Sequence, residues 1–191
     1  GKVFLCWFFT PIGAGVIAVI CYKILLTIFS SMEIGILTRE TLIRRGLISS
    51  GILSAYALGA NNVANTVGIF AGGLEGVSNI ELAFLGSISI GIGALLFSKP
   101  IMMNVGKRIV VLDGFSALVA VLSSGITVYI FSLVGVPVSI TQAIVGAIVG
   151  VGFYHGVHTL HFNVIKDILL CWFIAPTLCL ILTSAGYAIF I

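Results

Sequence analysis

Long apolar runs joined by short polar connections are the feature that most restricts how this chain folds. The first run extends from Val3 to Ser30 and contains one charged residue, Lys23. It exceeds the roughly 20 residues that a helix needs to cross a bilayer. Of the 191 residues, 60% are hydrophobic and 8% are charged, with a mean hydropathy of +1.27, whereas a soluble domain carries far more charge. The sequence therefore predicts an all-α, multi-pass protein of the cell membrane, in contact with lipid and not with nucleic acid.

Charged residues lie mainly at the ends of the apolar runs, and their signs predict the topology. Basic clusters occupy residues 39–45 and 99–108, and an acidic connection lies between Glu75 and Glu81. Because basic loops are retained in the cytoplasm, we expect both basic clusters inside and the acidic connection outside. The six predicted transmembrane or re-entrant segments are 3–30, 45–73, 80–97, 109–134, 138–153 and 164–190. The fifth of these is short enough to be half of a re-entrant hairpin.

An internal repeat relates the first and last segments. The stretch CWFFTP at 6–11 recurs as CWFIAP at 171–176, and Tyr22 recurs as Tyr187 at the same offset of 165 residues. We interpret residues 1–30 as the last helix of a preceding repeat, 31–45 as a cytoplasmic loop, and 46–191 as a second repeat. An odd number of crossings between the matching helices inverts the second copy, as in secondary transporters. The alternative is chance recurrence of Trp, Phe and Pro in lipid-facing helices.

The stretch GANNVANTVG at 59–68 places three asparagines and two bracketing glycines inside the second apolar segment. Polar side chains at membrane depth need a partner or a water-filled cavity. Because asparagine and glycine are poor helix formers, we expect a local break in the helix here, with free carbonyls for a cation and free amides for an anion. Asn61 and Asn65 are one helical turn apart, which favours a binding site. The alternative is that the asparagines only join neighbouring helices.

A second interruption occurs in GVPVSITQAIVGAIVGVG at 135–152. Pro137 precedes Ser139, Thr141 and Gln142, and proline followed by a hydroxyl residue is typical of a capped helix start. Hydroxyls and amides without a nearby acid would suit a tetrahedral oxyanion. An ordinary capped helix that leaves a surface loop is an equally good interpretation of this segment alone.

The two motifs together support a family resemblance. GANNVANTVGIFAGG resembles the signature GANDVANAxGP of the inorganic phosphate transporter (PiT) family, and GVPVSITQAIVGAIVGVG resembles its second signature, PVSTTHxxVGAxxGVG. The resemblance covers nearly the whole chain. It implies one half of an inverted-repeat secondary transporter with broken helices, which carries inorganic phosphate by symport with sodium or a proton and uses no other cofactor. A sulfate permease branch is similar to the same family, so sulfate or a related oxyanion is the alternative substrate.

The resemblance also implies roles for individual residues. It assigns Asn62 and Asn61 to the cation, and it implies that the paired motifs meet near the bilayer centre. It assigns to phosphate Asn61, Asn65, Ser139, Thr141 and Gln142.

Three positions depart from the family pattern. Asn62 replaces an aspartate in the first motif, Ile140 replaces a common threonine, and Leu118 stands where many relatives carry glutamate. A neutral amide can ligate a hard cation but offers no charge to offset its desolvation. We therefore expect that this repeat binds the cation weakly. We also expect that this half of the transporter is specialised for binding the substrate.

Other chemistry is poorly supported by the sequence. His155, His158 and His161 could bind zinc, but their spacing of three drifts around a helix, so we expect a polar interfacial loop and no metal site. No Ser-His-carboxylate set or GxxxxGK[ST] loop supports an enzyme or an ATP-driven pump. A non-transporting membrane subunit or truncated half is the alternative to a transporter. An inverted-repeat site needs a preceding N-terminal repeat or a second chain as partner, and a homodimer also remains open.

Overall fold

The described part of the chain forms six α-helices. The computed structural model describes the backbone of residues 2–68, 70, 77–108, 112–155 and 162–190, and the side chains in those ranges other than 2–4, 100–108 and 188–190. Within these ranges there is no β-strand, so the all-α prediction is confirmed. The helices are α1 (Lys2–Ser31), α2 (Ile36–Val67), α3 (Asn79–Arg108), α4 (Gly114–Leu133), α5 (Ile140–His155) and α6 (Phe162–Phe190).

Local sequence signals fix the start of two helices. Ser78 and Glu81 form a reciprocal capping box at the start of α3, because the Ser78 N–H donates to the Glu81 carboxylate at 2.8 Å and the Ser78 Oγ accepts from the Glu81 N–H at 3.3 Å. Asp113 caps α4 by accepting from the Ser116 N–H at 3.2 Å. Both helices therefore begin where a short polar side chain satisfies amides that have no helical partner.

The turn between α4 and α5 is a Schellman motif. Gly135 has a φ of 73°, which favours glycine, and its N–H donates to the Ser132 carbonyl, while the Val136 N–H donates to the Phe131 carbonyl. The chain then runs in a non-helical conformation from Val136 to Ser139 before α5 begins at Ile140. This turn brings the start of α5 back beside the end of α4.

Helix α4 lies at the centre of the bundle, against α1, α2 and α5, while α1 packs along α5 and α3 packs on α2. The α1–α5 contact is close because α5 has glycine where the helices meet. A Cβ at Gly146 would collide with the Pro11 backbone, and a Cβ at Gly150 would collide with that of Gly15. By contrast, no residue of α6 from Phe162 to Tyr187 is buried.

Among the described residues, four helical segments are long and apolar enough to cross a membrane: Leu5–Ser31, Asn79–Lys99, Gly114–Leu133 and Phe162–Tyr187. Helix α5 is apolar but has 16 residues, as expected for the short fifth segment. Helix α2 does not meet the same criterion. The sequence analysis placed the basic cluster at 39–45 in a loop. It lies instead in the first turns of α2, because this helix already begins at Ile36. The predicted topology stays a prediction, and Glu75 lies outside the described residues.

The predicted break inside the second segment is not found. Helix α2 continues through Asn61 and Asn65 to Val67, and Gly68 forms its C-terminal cap. The physical reason is that the Asn61 carboxamide hydrogen-bonds groups of other elements and so does not compete for the backbone of its own helix. The motif therefore marks the end of a helix and not a gap within one.

Candidate functional site

Asn61 joins the two sequence motifs. Its side-chain oxygen accepts from the Val138 N–H at 3.4 Å, and its amide nitrogen donates to the Ser132 Oγ at 3.4 Å and to the Val136 carbonyl at 3.5 Å. The side chain is 6% exposed, so these bonds satisfy a polar group that would be costly to bury alone. The C-terminal end of α2 is thereby attached to the α4–α5 connection, and we call this contact the α2–α5 junction.

The other two asparagines are more open, with Asn62 next to Asn61 and Asn65 one helical turn further along α2. Asn65 is exposed and donates from its Nδ2 to the Asn61 Oδ1 at 3.5 Å. Asn62 is half-buried, and its backbone carbonyl accepts from the Thr66 hydroxyl at 2.8 Å. In the described part of the chain, no protein group hydrogen-bonds the Asn62 carboxamide. Asn61 and Asn65 therefore lie together, whereas the Asn62 carboxamide has no hydrogen-bond partner among the described residues.

Helix α5 begins at the junction. The Ser139 Oγ accepts from the Gln142 N–H at 3.4 Å and its carbonyl accepts from the Ala143 N–H at 3.1 Å, so the prediction that Ser139 caps this helix is confirmed. The amides of Ile140 and Thr141 have no partner in the described residues. Ser139 is half-buried and Thr141 is exposed. Within the described residues, the first turn of α5 thus presents two free amides and the Thr141 hydroxyl.

Asn61 lies six residues before Val67, the last residue of α2, and Val138 lies two residues before Ile140, the first residue of α5. The end of α2 carries the negative end of its helix dipole, whereas the start of α5 carries the positive end and, within the described residues, the free amides of Ile140 and Thr141. Carbonyl oxygens ligate hard cations and amides bind oxyanions. The junction lies at the C-terminal end of α4 and not halfway along that helix, so the central position in the bilayer stays a prediction.

Gln142 faces away from the asparagines and towards α1. It is 2% exposed. With its carboxamide oriented to match its neighbours, the nitrogen donates to the Trp7 carbonyl at 3.1 Å and the oxygen accepts from the Trp7 indole N–H at 2.6 Å. The phosphate role of Gln142 stays a prediction. In this structure the Gln142 side chain hydrogen-bonds Trp7.

A second polar cluster lies at the other end of α5. The His155 Nε2 is 3.0 Å from the Tyr22 hydroxyl and 2.9 Å from the Ser116 hydroxyl. Burial acts to raise the pKa of nearby Asp113, but hydrogen bonds from Ser116 and Phe115, together with the charge of His155, hold that pKa below its ordinary value. This cluster ties α1, α4 and α5 together.

The described residues hold no group of three or more His, Cys, Asp or Glu side chains that could bind a metal. Of the three predicted histidines, His155 ends α5, and His158 and His161 lie outside the described residues.

Two partners of the predicted residues were missed by the sequence reasoning. Ser132 lies in the last turn of α4 and accepts from Asn61. The only sequence signal for Ser132 is that it is a polar residue directly after the last apolar stretch of α4. Trp7 was identified in the repeat, but nothing in the sequence links it to Gln142, 135 positions later.

Within the described residues, the all-helical bundle with four helices able to span a membrane indicates a multi-pass membrane protein. The phosphate transporter family matches residues 37–183. The chain belongs to the phosphate transporter family, and the resemblance read from its two motifs is confirmed.

The chain is similar to several archaeal proteins classed as candidate phosphate permeases. It is 37% identical to one from Methanocaldococcus jannaschii over 182 residues, which cover 95% of this chain and 58% of that protein. It is 35% identical to one from Pyrococcus horikoshii over 175 residues, which cover 85% of this chain and 43% of that protein. The chain therefore spans 58% of the length of the first relative and 43% of the length of the second.

A solved structure described as "The sodium-dependent phosphate transporter" superposes with a TM-score of 0.75. The match covers 91% of this chain and 62% of that protein at 21% identity. At this identity the comparison shows the fold. The expected architecture, one half of a transporter, is therefore consistent with the solved structure.

Proposed function

We propose that this chain forms one half of a symporter that carries inorganic phosphate across the membrane with sodium or a proton. The observation that carries the proposal is the hydrogen bonding of Asn61 to Val138, which joins the two family motifs into one junction. The names of the archaeal relatives and of the solved structure support phosphate as the substrate. In this proposal the chain acts as a transporter and catalyses no reaction.

The start of α5 is the proposed phosphate-binding part of the junction. Phosphate presents several acceptor oxygens, and the free amides of Ile140 and Thr141, with the Thr141 hydroxyl, offer donors at the positive end of a helix dipole. The amide nitrogen of exposed Asn65 would add a donor from α2. Asn61 holds the two helices in this relation and is largely occupied by its own bonds.

The end of α2 is the proposed cation-binding part. The Asn62 carboxamide, which has no hydrogen-bond partner among the described residues, offers an oxygen ligand of the kind that sodium accepts, and the backbone carbonyls of Asn65 and Thr66 are further candidates. No carboxylate accompanies them in this motif, because Asn62 stands where the family has aspartate. The weak site expected here would leave coupling largely to the other repeat.

Uptake of radiolabelled phosphate by proteoliposomes tests the proposal. The full-length polypeptide encoded by the native gene is reconstituted, and uptake is compared under a sodium gradient, under a proton gradient, and with excess sulfate. We expect uptake that one of the two gradients drives and that sulfate competes with poorly. Efficient sulfate competition would favour the other oxyanion, and absence of gradient-driven uptake of either anion would contradict the proposal.

A further inference from the structure

An open cavity of about 720 Å³ lies where the first turns of α2 pass the start of α4. We call it the α2–α4 pocket. It is separate from the α2–α5 junction, because it lies at the other ends of α2 and α4. Both apolar and charged side chains line it: Ile43, Leu47 and Phe115 among the apolar ones, and Arg39, Glu40, Arg44 and Asp113 as the charged ones.

Helices α2 and α4 run parallel, and their contacts fix the height of the pocket. A Cβ at Gly114 would lie 3.4 Å from the Ile43 side chain. Further along both helices, the Ser54 Oγ donates to the Val121 carbonyl at 3.0 Å. Ile43 is therefore level with Gly114, the first residue of the apolar α4 segment. At a rise of about 1.5 Å per residue, Arg39 lies about 6 Å beyond that level.

This height matches the head-group layer of a bilayer, which adds about 5–8 Å to each side of the hydrocarbon core. Where α4 crosses a membrane, Leu47 and Phe115 lie in the hydrocarbon and Arg39 lies among the head groups. In the outermost turn of α2, Ile36 and Leu37 are 80% and 81% exposed. Contact of these apolar side chains with the membrane surface is more favourable than contact with water.

The two guanidinium groups of the pocket are available to a ligand. In the described part of the chain, neither Arg39 nor Arg44 forms an ion pair with a carboxylate. Arg39 precedes Ile43 by one helical turn and Arg44 follows it directly, so a phosphate group beside Ile43 has a guanidinium on each side. Guanidinium groups bind phosphate oxygens through paired N–H donors. Basic pockets of this kind at a membrane surface bind lipid head groups.

Two carboxylates balance the two guanidinium groups. Glu40 is exposed and forms no ion pair within the described ranges. Asp113 accepts from the Ser116 N–H through its Oδ1 at 3.2 Å, and a carboxylate has about four lone-pair positions, so acceptor capacity remains. A purely anionic head group would be repelled by these carboxylates. A head group that carries an ammonium group next to its phosphate matches both pairs of charges.

We propose that the α2–α4 pocket binds a zwitterionic phospholipid of the phosphatidylethanolamine type. The phosphodiester lies between Arg39 and Arg44, and the ammonium group donates to Glu40 and Asp113. One acyl chain follows the apolar wall past Leu47 into the membrane. A primary ammonium group has three N–H donors, whereas the quaternary ammonium of choline has none, so ethanolamine is favoured. The bound lipid holds the start of α2 against the start of α4.

Native mass spectrometry of lipid binding tests the proposal. The full-length polypeptide encoded by the native gene is titrated in detergent with phosphatidylethanolamine, phosphatidylglycerol or phosphatidylcholine of identical acyl chains. The dissociation constant of the first bound lipid is measured for each. We expect phosphatidylethanolamine to bind several-fold more tightly than the other two lipids.

Two pairs of variants locate the site. Arg44→Gln should weaken binding of phosphatidylethanolamine several-fold. Its matched control is Arg45→Gln, which removes the same charge from an exposed neighbour that does not line the pocket and should change nothing. Glu40→Gln should lower the preference for phosphatidylethanolamine over phosphatidylglycerol several-fold, whereas Glu33→Gln, at an exposed position outside the pocket, should preserve it.

Three results would overturn the proposal. Binding of phosphatidylglycerol or phosphatidylcholine as tight as that of phosphatidylethanolamine would exclude the zwitterionic match. Equal losses in the Arg44 and Arg45 variants would show diffuse charge attraction and no site. Displacement of the lipid by millimolar inorganic phosphate would identify a site for free anions. Because the readout is lipid binding, the result does not depend on phosphate being the transported substrate.

Discussion

The side-chain oxygen of Asn61 accepts a hydrogen bond from the backbone N–H of Val138, although the two residues are 77 positions apart. One is in the last turns of α2 and the other immediately precedes the cap of α5. The bond holds the last turns of α2 beside the segment that leads into α5. The proposed anion and cation sites both depend on this arrangement.

Replacing Asn61 by alanine should weaken phosphate binding and destabilise the protein. The substitution leaves the Val138 N–H and the Val136 carbonyl without this partner, and losing such bonds costs about 1–3 kcal/mol. Thermal unfolding in detergent and equilibrium phosphate binding measure the two effects. The matched control is Asn62→Ala, because no protein group hydrogen-bonds the Asn62 carboxamide in the described residues. Equal stability of the two variants would contradict a structural role for Asn61.

Substituting Gly146 by alanine should destabilise the α1–α5 contact. A Cβ there would meet the Pro11 backbone, and overpacking of this kind typically costs about 1–3 kcal/mol. Gly13→Ala is the control on the facing helix, since a Cβ at Gly13 meets nothing within 4 Å. We expect a lower unfolding temperature for the first variant and little change for the second. Similar unfolding temperatures for the two variants would contradict the close contact between α1 and α5 at Gly146.

Asp113 should contribute stability that depends on pH. Because its pKa is lower in the folded protein, its contribution is complete above the ordinary carboxyl pKa of about 3.9 and is lost as the pH falls through the folded-state pKa. Asp113→Ala should cost about 0.5–2 kcal/mol at neutral pH through loss of the α4 cap. Asp113→Asn keeps a capping oxygen and should remove part of the acid sensitivity. Unfolding temperatures at pH 7 and at about pH 3 compare the variants, and identical acid sensitivity in all three would argue against this role.

Restoring a carboxylate at position 62 tests the proposed cation site. Asn62→Asp should make phosphate uptake depend more steeply on sodium, because a carboxylate attracts a cation strongly where the dielectric is low. Uptake is measured against sodium concentration at two pH values in the variant and the unmodified protein. A folded, transporting variant with unchanged sodium and proton dependence would place Asn62 outside any cation site.

Hydropathy and motif spacing predicted the helical class, the short fifth segment, the capping of α5 by Ser139 and the family. These features follow from local patterns, such as apolar run length and the order of proline and hydroxyl residues. The sequence was misleading at Asn61, where the helix continues because the carboxamide finds partners on the α4–α5 connection. It also gave no sign that Gln142 bonds Trp7, because such a contact depends on how two distant helices pack.

Substrate protection of a cysteine in the first turn of α5 tests the central claim most directly. Thr141→Cys is introduced into the cysteine-free, full-length polypeptide, and its modification by a charged thiol reagent is timed with and without phosphate. The control is Thr41→Cys, at an exposed position in the basic first turns of α2. We predict that phosphate slows modification at position 141, with the same half-saturating concentration as uptake, and leaves position 41 unaffected. An unchanged rate at position 141 in a variant that still takes up phosphate would contradict an anion site at the α2–α5 junction.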